Sequence, residues 1–261
     1  MEDIAIVILA GGKSSRMGQD KGLIPVNGKP MVQHLINATK PLKLKTIIIA
    51  NNSNYDAFGI PVYKDIYQDS GPLGGIHSGL INSQTSRVIV LSCDTPFVST
   101  EFIEYLIKIA NTHDIIIPKH GSKTHPLIGI YSENILNVLN ESINNNKLKV
   151  MELIKKTSHS IHTVTSEFPE GIFENINTKK DLCAQVNIKP FGIIAEHMKG
   201  IDLTIEIPNK RNTNLRSYFN DKWPLLNKIS YTIAIDQELR EELNKNEHPT
   251  EIAILPPFAG G

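Results

Sequence analysis

The segment "LAGGKSSRMGQDKG", Leu9 to Gly22, places two adjacent glycines after an apolar run and three cations close behind them. Gly11 and Gly12 can turn backbone N–H groups toward an anion, with Lys13, Arg16 and Lys21 as charge partners. Amides for oxygens, a guanidinium fork and a lysine point charge together suit a nucleoside triphosphate. The same residues also describe a tight strand-to-helix turn with solvated cations. Two known phosphate loops are excluded. A Walker A loop needs glycine where Val7 stands, and no G-x-G-x-x-G dinucleotide fingerprint is present.

A second candidate is Asp94, which ends the run "RVIVLSCD". A carboxylate at the end of an apolar strand lies at the carboxyl edge of its sheet, where ligands bind in α/β folds. Mg²⁺ takes one or two carboxylates together with phosphate oxygens and water, so a single Asp suffices. A cap or turn residue ahead of Pro96 is the other reading. Cys93 and Cys183, the only 2 cysteines, form no C-x-x-C pair and no disulfide framework, which fits a reducing, cytoplasmic setting. Of the 9 histidines, His159 and His162 have metal-like spacing but no third ligand nearby, and read as surface or strand-lining residues.

The elements that must carry these groups are legible as period and length. "IAIVILA", "TIIIAN", "RVIVLSCD", "DIIIPK" and "PLIGIYS" are short β-branched runs, the pattern of strands buried on both faces of a parallel sheet. Between them, Met31, Val32, Leu35 and Ile36 share one helical face after Pro30. Phe102, Ile103, Leu106, Ile107 and Ala110 share another, behind a Ser99 or Thr100 cap. The alternation predicts an α/β, Rossmann-like three-layer domain over residues 1–186.

A small α+β domain is expected over residues 187–261. It reads as two strands turning near Lys199 and Gly200, a helix at "TNLRSYFNDKW", a strand "YTIAID" and a last strand in "EIAILPP". The final "AILPPFAGG" sets two glycines after an apolar run, which by themselves describe a frayed end. Over all 261 residues, 27 Lys plus Arg balance 27 Asp plus Glu, so no broad attraction to nucleic acid or an anionic membrane is expected. No run has the length of a membrane span, and the first residues lack the pattern of a signal peptide.

The string L-A-G-G-x-S-x-R-M-G-x-D-K resembles the signature of nucleotidyltransferases, and more narrowly of molybdenum cofactor guanylyltransferases. "VNGKP", "KDIYQDSGPLGGIHSGL", "SCDTPF" and "FENINT" follow in family order, so the likeness spans residues 4–183. It implies nucleotide binding by Leu9, Ala10, Gly11 and Gly12, phosphate contact by Lys21, and Asn52 in the nucleotide site. It further implies Asp65 at the guanosine end, Asp94 as Mg²⁺ ligand, and Asn175 and Asn177 toward the pterin substrate. The implied reaction is attack of the terminal phosphate of molybdopterin on the α-phosphorus of GTP, with Mg²⁺, Lys21 and Arg16 stabilising the developing charge. Gly12 favours GTP, because cytidylyl relatives tend to carry Ala-Gly in place of Gly-Gly. A cytidylyltransferase or a sugar-phosphate nucleotidyltransferase is the runner-up.

The last 70 or so residues resemble the small subunit of molybdopterin synthase, a β-grasp, ubiquitin-like sulfur carrier. That likeness rests on "TNLRSYF", "YTIAIDQ" and "EIAILPPFAGG". It implies a fusion protein whose Gly261 is adenylated and converted to a thiocarboxylate, with the large synthase subunit and an E1-like adenylating sulfurtransferase as partners. A carrier joined to a docking domain without catalytic function is the remaining alternative.

Overall fold

A computed structural model describes residues 3–10, 20–26, 28–110, 112–165, 167–177, 181, 183–199, 201, 203–208, 213–244, 247 and 249–257. The chain divides into two compact units, Met1–Ile176 and Asn177–Gly261. The sequence-based boundary between residues 186 and 187 falls inside the strand Cys183–Pro190, which pairs wholly within the second unit. The division therefore precedes the shift in sequence style.

In the first unit the strands are β1 (Ile4–Leu9), β2 (Thr46–Ile49), β3 (Val62–Tyr63), β4 (Arg87–Ser92), β5 (Ile115–His120), β6 (Ile128–Ser132) and β7 (His159–Thr163). They lie in the order β7-β5-β6-β4-β1-β2-β3, and the short strand Lys123–Thr124 pairs with β5. All five apolar runs are strands, but "PLIGIYS" is not parallel: β6 runs antiparallel to both β4 and β5. Every residue of β6 is buried, and continuous burial reports two covered faces without reporting direction. The hairpin from β5 through Lys123–Thr124 supplies the reversal without a crossover helix.

Helices α1 (Met31–Thr39), α2 (Gly71–Ser83), α3 (Thr100–Lys108) and α4 (Leu136–Asn144) cover the sheet. Alternation along β1 feeds two cores. Ile6 and Ile8 pack with Val32, Leu35, Phe102 and Leu106 on one face, and Val7 and Leu9 pack with Leu73, Ile76, Leu80 and Leu139 on the other. Pro30 ends a short strand just ahead of α1 instead of occupying its first turn. The Ser99 hydroxyl accepts from Phe102 N at 3.3 Å, the cap expected for α3. Phe102, Ile103 and Leu106 are buried, whereas Ile107 and Ala110 are only partly so.

Glycine spacing sets the approach of α2. A Cβ on Gly79 would stand 2.6 Å from Val7 Cγ1, and one on Gly75 would stand 3.0 Å from Leu9 Cδ2. Four residues apart, these glycines share the helix face that lies on β1. The glycines of "GPLGGIHSGL" thus bring helix and strand close enough to hold the end of β1 in place.

The second unit contains β8 (Cys183–Pro190), α5 (Ile193–His197), β9 (Thr204–Pro208), α6 (Leu215–Lys222), β10 (Thr232–Ile235), β11 (Glu238–Leu239) and β12 (Glu251–Leu255). Their sheet order is β9-β8-β12-β10-β11, with β8 and β12 parallel and the other pairs antiparallel. The expected direct turn between the first two strands is corrected by α5, inserted after Gly192 at φ 55°. Glycine adopts that backbone without the Cβ penalty, ending the strand and opening a helix that buries Ile194. Val186, Ile188, Phe219, Trp223, Ile233, Ile252 and Ile254 form a core on one side of the sheet. The Asn214 side chain caps α6 by accepting from Ser217 N at 2.9 Å.

Candidate nucleotide site

The carboxyl ends of β1, β2 and β4 gather most of the expected residues at one sheet edge. Leu9 O accepts from Cys93 N at 2.9 Å, and Ala10 N donates to Ile49 O at 3.0 Å. The backbone entering the glycine-rich loop is therefore fixed by strand partners on both sides. Gly11, Gly12, Lys13 and Arg16 lie outside the described residues, as does Gly261.

The chain is described again from Asp20. Lys21 Nζ stands 3.5 Å from Asp94 Oδ2, each side chain about one-fifth exposed (19% and 20%). This joins the end of the loop to the carboxylate beyond β4, with both groups reachable from solvent. The Asp94 carbonyl accepts from Ile176 N at 2.8 Å, which brings "FENIN" to the same edge with Asn175 exposed beside it. Asn177 falls in the second unit, and its backbone N donates to Asp181 Oδ2 at 2.6 Å.

Asp65 follows β3, and its partner is Asn51. Asn51 Nδ2 donates to Asp65 Oδ2 at 3.0 Å, while Asp65 N donates to Asn51 Oδ1 at 3.1 Å. The other carboxylate oxygen, Oδ1, is buried without a partner among the described residues. Burial pushes the Asp65 carboxyl above the ordinary carboxylate range, and the Asn51 bond opposes that rise. A buried, unsatisfied acceptor is costly unless a donor arrives to meet it.

Asn52 is turned to internal work. Its Nδ2 donates to Asp20 Oδ2 at 3.2 Å, and its Oδ1 accepts from Asn54 N at 3.0 Å, opening the 3₁₀ turn Ser53–Phe58. That turn carries Tyr55, fully buried, whose hydroxyl donates to Asp20 Oδ1 and lies 3.0 Å from Ala10 O. Cys93, also buried, is no nucleophile: burial first, and then neighbouring Asp94, push its thiol up to about 12.

Sequence reasoning missed Asn51, Asp20 and Tyr55. Asp20 lies inside the D-K pair of the signature, and Asn51 is the neighbour of Asn52. Tyr55 belongs to no motif. Phe173 was missed as well; it packs between His120 and His125 at centroid distances of 5.1 and 4.6 Å, tying the segment before Asn175 to the hairpin after β5. Burial, with lesser repulsion from His120 and Lys123, holds His125 below the usual imidazole range.

Comparison with known proteins shows the family of the first unit. Residues 6–161 match the MobA-like NTP transferase domain. A Flavobacterium johnsoniae protein named probable molybdenum cofactor guanylyltransferase is 39% identical over 183 residues, covering 70% of this chain and 96% of that one. The Vibrio campbellii molybdenum cofactor guanylyltransferase is 35% identical over 181 residues, covering 67% of this chain and 91% of its own. Among solved structures, an Aquifex aeolicus protein aligns with a TM-score of 0.60 at 26% identity, over 68% of this chain and 94% of that one. The Archaeoglobus fulgidus molybdopterin-guanine dinucleotide biosynthesis protein A aligns at 0.57 and 23%, over 67% and 92%, a likeness of fold. The chain belongs to the MobA-like NTP transferase family, and its first unit is a nucleotidyltransferase. No helix among the described residues is long and apolar enough to cross a membrane.

Proposed function

We propose that the first unit transfers GMP from GTP to the molybdopterin form of the molybdenum cofactor, releasing pyrophosphate. The observation that carries this reading is the approach of Lys21 to Asp94 at the carboxyl edge, in a chain whose relatives bear guanylyltransferase names. The terminal phosphate of molybdopterin is already an anion and needs no general base. Its oxygen forms a bond to the α-phosphorus of GTP as the bond to pyrophosphate breaks. Lys21, with Arg16, meets charge that builds on the non-bridging oxygens. Leu9 to Gly12 line the triphosphate, and Asn175, at the edge that the Asp94 carbonyl shares with Ile176, faces the pterin substrate.

The unpaired Asp65 oxygen supports a place for it at the nucleoside, where ring N–H or ribose O–H donors satisfy a buried acceptor. The residues present also fit Mg²⁺: Asp94 offers a partly exposed carboxylate at the strand end, and one such ligand suffices beside phosphate oxygens and water. When bound, the ion supplies charge neutralisation and orientation of the triphosphate.

For the second unit we propose a β-grasp, ubiquitin-like sulfur carrier. Its support is the sheet order, with the first strand parallel to the last at the centre and α6, with the shorter α5, contributing to the core on the apolar face, and the sequence "PPFAGG" that follows β12. In this role the Gly261 carboxylate attacks the α-phosphorus of ATP on an E1-like enzyme with release of pyrophosphate, hydrosulfide-level sulfur displaces AMP from the acyl-adenylate, and the resulting thiocarboxylate serves the large synthase subunit.

Incubation with molybdopterin, Mg²⁺ and each of GTP, CTP and ATP tests the first part. The expected result is a guanine dinucleotide product with pyrophosphate; preference for CTP moves the unit to cytidylyl transfer, and no product with any nucleotide overturns the reading. Mass spectrometry after incubation with an adenylating sulfurtransferase, ATP and a sulfur donor tests the second. An oxygen-to-sulfur exchange located at Gly261 is expected, and an unmodified glycine refutes it.

A further inference from the structure

We propose that Tyr55 and Asp20 are positioning residues that lock Lys21 against Asp94, with Asn52 completing the latch; this rests on the nucleotidyl-transfer reading above. Asp20 immediately precedes Lys21, and both of its carboxylate oxygens are engaged. Oδ1 takes the Tyr55 hydroxyl and Gly22 N, the latter at 3.2 Å, and Oδ2 takes Asn52 Nδ2 at 3.2 Å. The Asp20 carbonyl accepts from Leu23 N at 3.1 Å, and the Lys21 carbonyl accepts from Ile24 N at 3.2 Å. The backbone on either side of Lys21 is thereby pinned, so its side chain leaves from a fixed point toward Asp94.

The pin is anchored deep in the unit. Tyr55 is fully buried, and its ring lies under the Gly22 backbone so closely that a Cβ there would sit 2.3 Å from the phenol oxygen. The same oxygen is 3.0 Å from Ala10 O, so one hydroxyl reaches both the residue entering the glycine-rich loop and the residue leaving it. Burial first, and then the bond to Asp20, raise the Tyr55 pKa, keeping the hydroxyl a donor. Asn52 spends its amide on Asp20 and its carbonyl on the turn that carries Tyr55. Its task here is to hold the latch. Preorganised cations are worth most when they need not reorganise as charge develops, so a loosened Lys21 costs rate more than nucleotide affinity.

The test uses the full chain with Tyr55→Phe and Asp20→Asn, each alone and in a Lys21→Ala background. Turnover in GMP transfer is expected to fall about tenfold in each single variant with the GTP KM within about threefold, and to change less than about twofold where Lys21 is already absent. Equal losses with and without Lys21, or unchanged turnover, overturn the proposal. A substrate-free readout separates it from the functional reading: NMR of the reductively ¹³C-methylated protein, with the Lys21 signal identified by its loss in Lys21→Ala. That signal is expected to move in Asp94→Asn, and to move toward the same position in Tyr55→Phe and Asp20→Asn. A Lys21 signal unmoved in the latch variants overturns the proposal even if no nucleotide is transferred, whereas a wild type that transfers none but shows the shifts refutes only the function.

Discussion

Asn51 and Asp65 hold each other in both directions, side chain to side chain at 3.0 Å and backbone N–H to side chain at 3.1 Å. The pair bridges the loops after β2 and β3 and leaves one buried carboxylate oxygen facing no donor among the described residues. Because burial raises the Asp65 pKa, the native protein keeps this proton to a higher pH than the unfolded chain does. Native protons then exceed unfolded protons between the two pKa values, so this group's contribution to stability falls as pH rises through that window. Asp65→Asn is therefore expected to raise Tm at neutral pH by about 1–3 °C, and to have little effect below the carboxylate range. Thermal melts of both proteins from acid to neutral pH check this; a loss of Tm at neutral pH refutes it.

Asp94→Asn keeps shape and removes charge. The Asp94 carbonyl that receives Ile176 N is a backbone group and persists, so Tm should stay within about 2 °C. Pyrophosphate release is expected to fall by about a hundredfold or more. Turnover near that of the wild type would remove Asp94 from the site.

Gly79→Ala forces a methyl to within 2.6 Å of Val7 Cγ1, in a core where β1 is covered on both faces. Overpacking of this kind costs about 1–3 kcal/mol. Chemical denaturation should show that loss, accompanied by weaker nucleotide binding because Leu9 and Ala10 shift with the strand. A variant as stable as the wild type would mean that α2 can lift off the sheet without cost.

On the carrier reading, one residue added after Gly261 is expected to abolish sulfur transfer, since that reading requires the Gly261 carboxylate itself to be adenylated. A bulky replacement of Gly260 should act similarly by obstructing entry to partner sites. Tm and GMP transfer should be unaffected by either change. Sulfur transfer by the extended, uncleaved protein would refute the carrier reading.

Much of this fold could be read before any coordinates. The five β-branched runs are strands, and the face made by Met31, Val32, Leu35 and Ile36 is buried, because burial on a sheet or a helix stripe imposes its period directly on the sequence. Direction is not written that way, which is why β6 ran opposite to expectation. "FGIIAEHM" carries two isoleucines that favour a strand, yet Gly192 breaks the backbone and a helix forms. In the candidate site, motif and strand position single out Lys21 and Asp94, and the structure brings the two side chains to 3.5 Å. Asn51 and Tyr55 were invisible because their meaning lies in contacts with Asp65 and Asp20 from other loops, and no local pattern records a partner of that kind.

The central place of β12 in the second unit has a consequence for synthesis. Ile252 and Ile254 fill the middle of that core, while the strand bearing them pairs with both β8 and β10. On the ribosome, every other strand of this sheet emerges before the one that joins its two halves, so the unit cannot close until residue 255 is free of the exit tunnel. The first unit meets no such delay, since β1 lies at the heart of its sheet from the outset. A nascent chain can thus hold a folded first unit while the sheet of its second unit still lacks the strand that joins its halves.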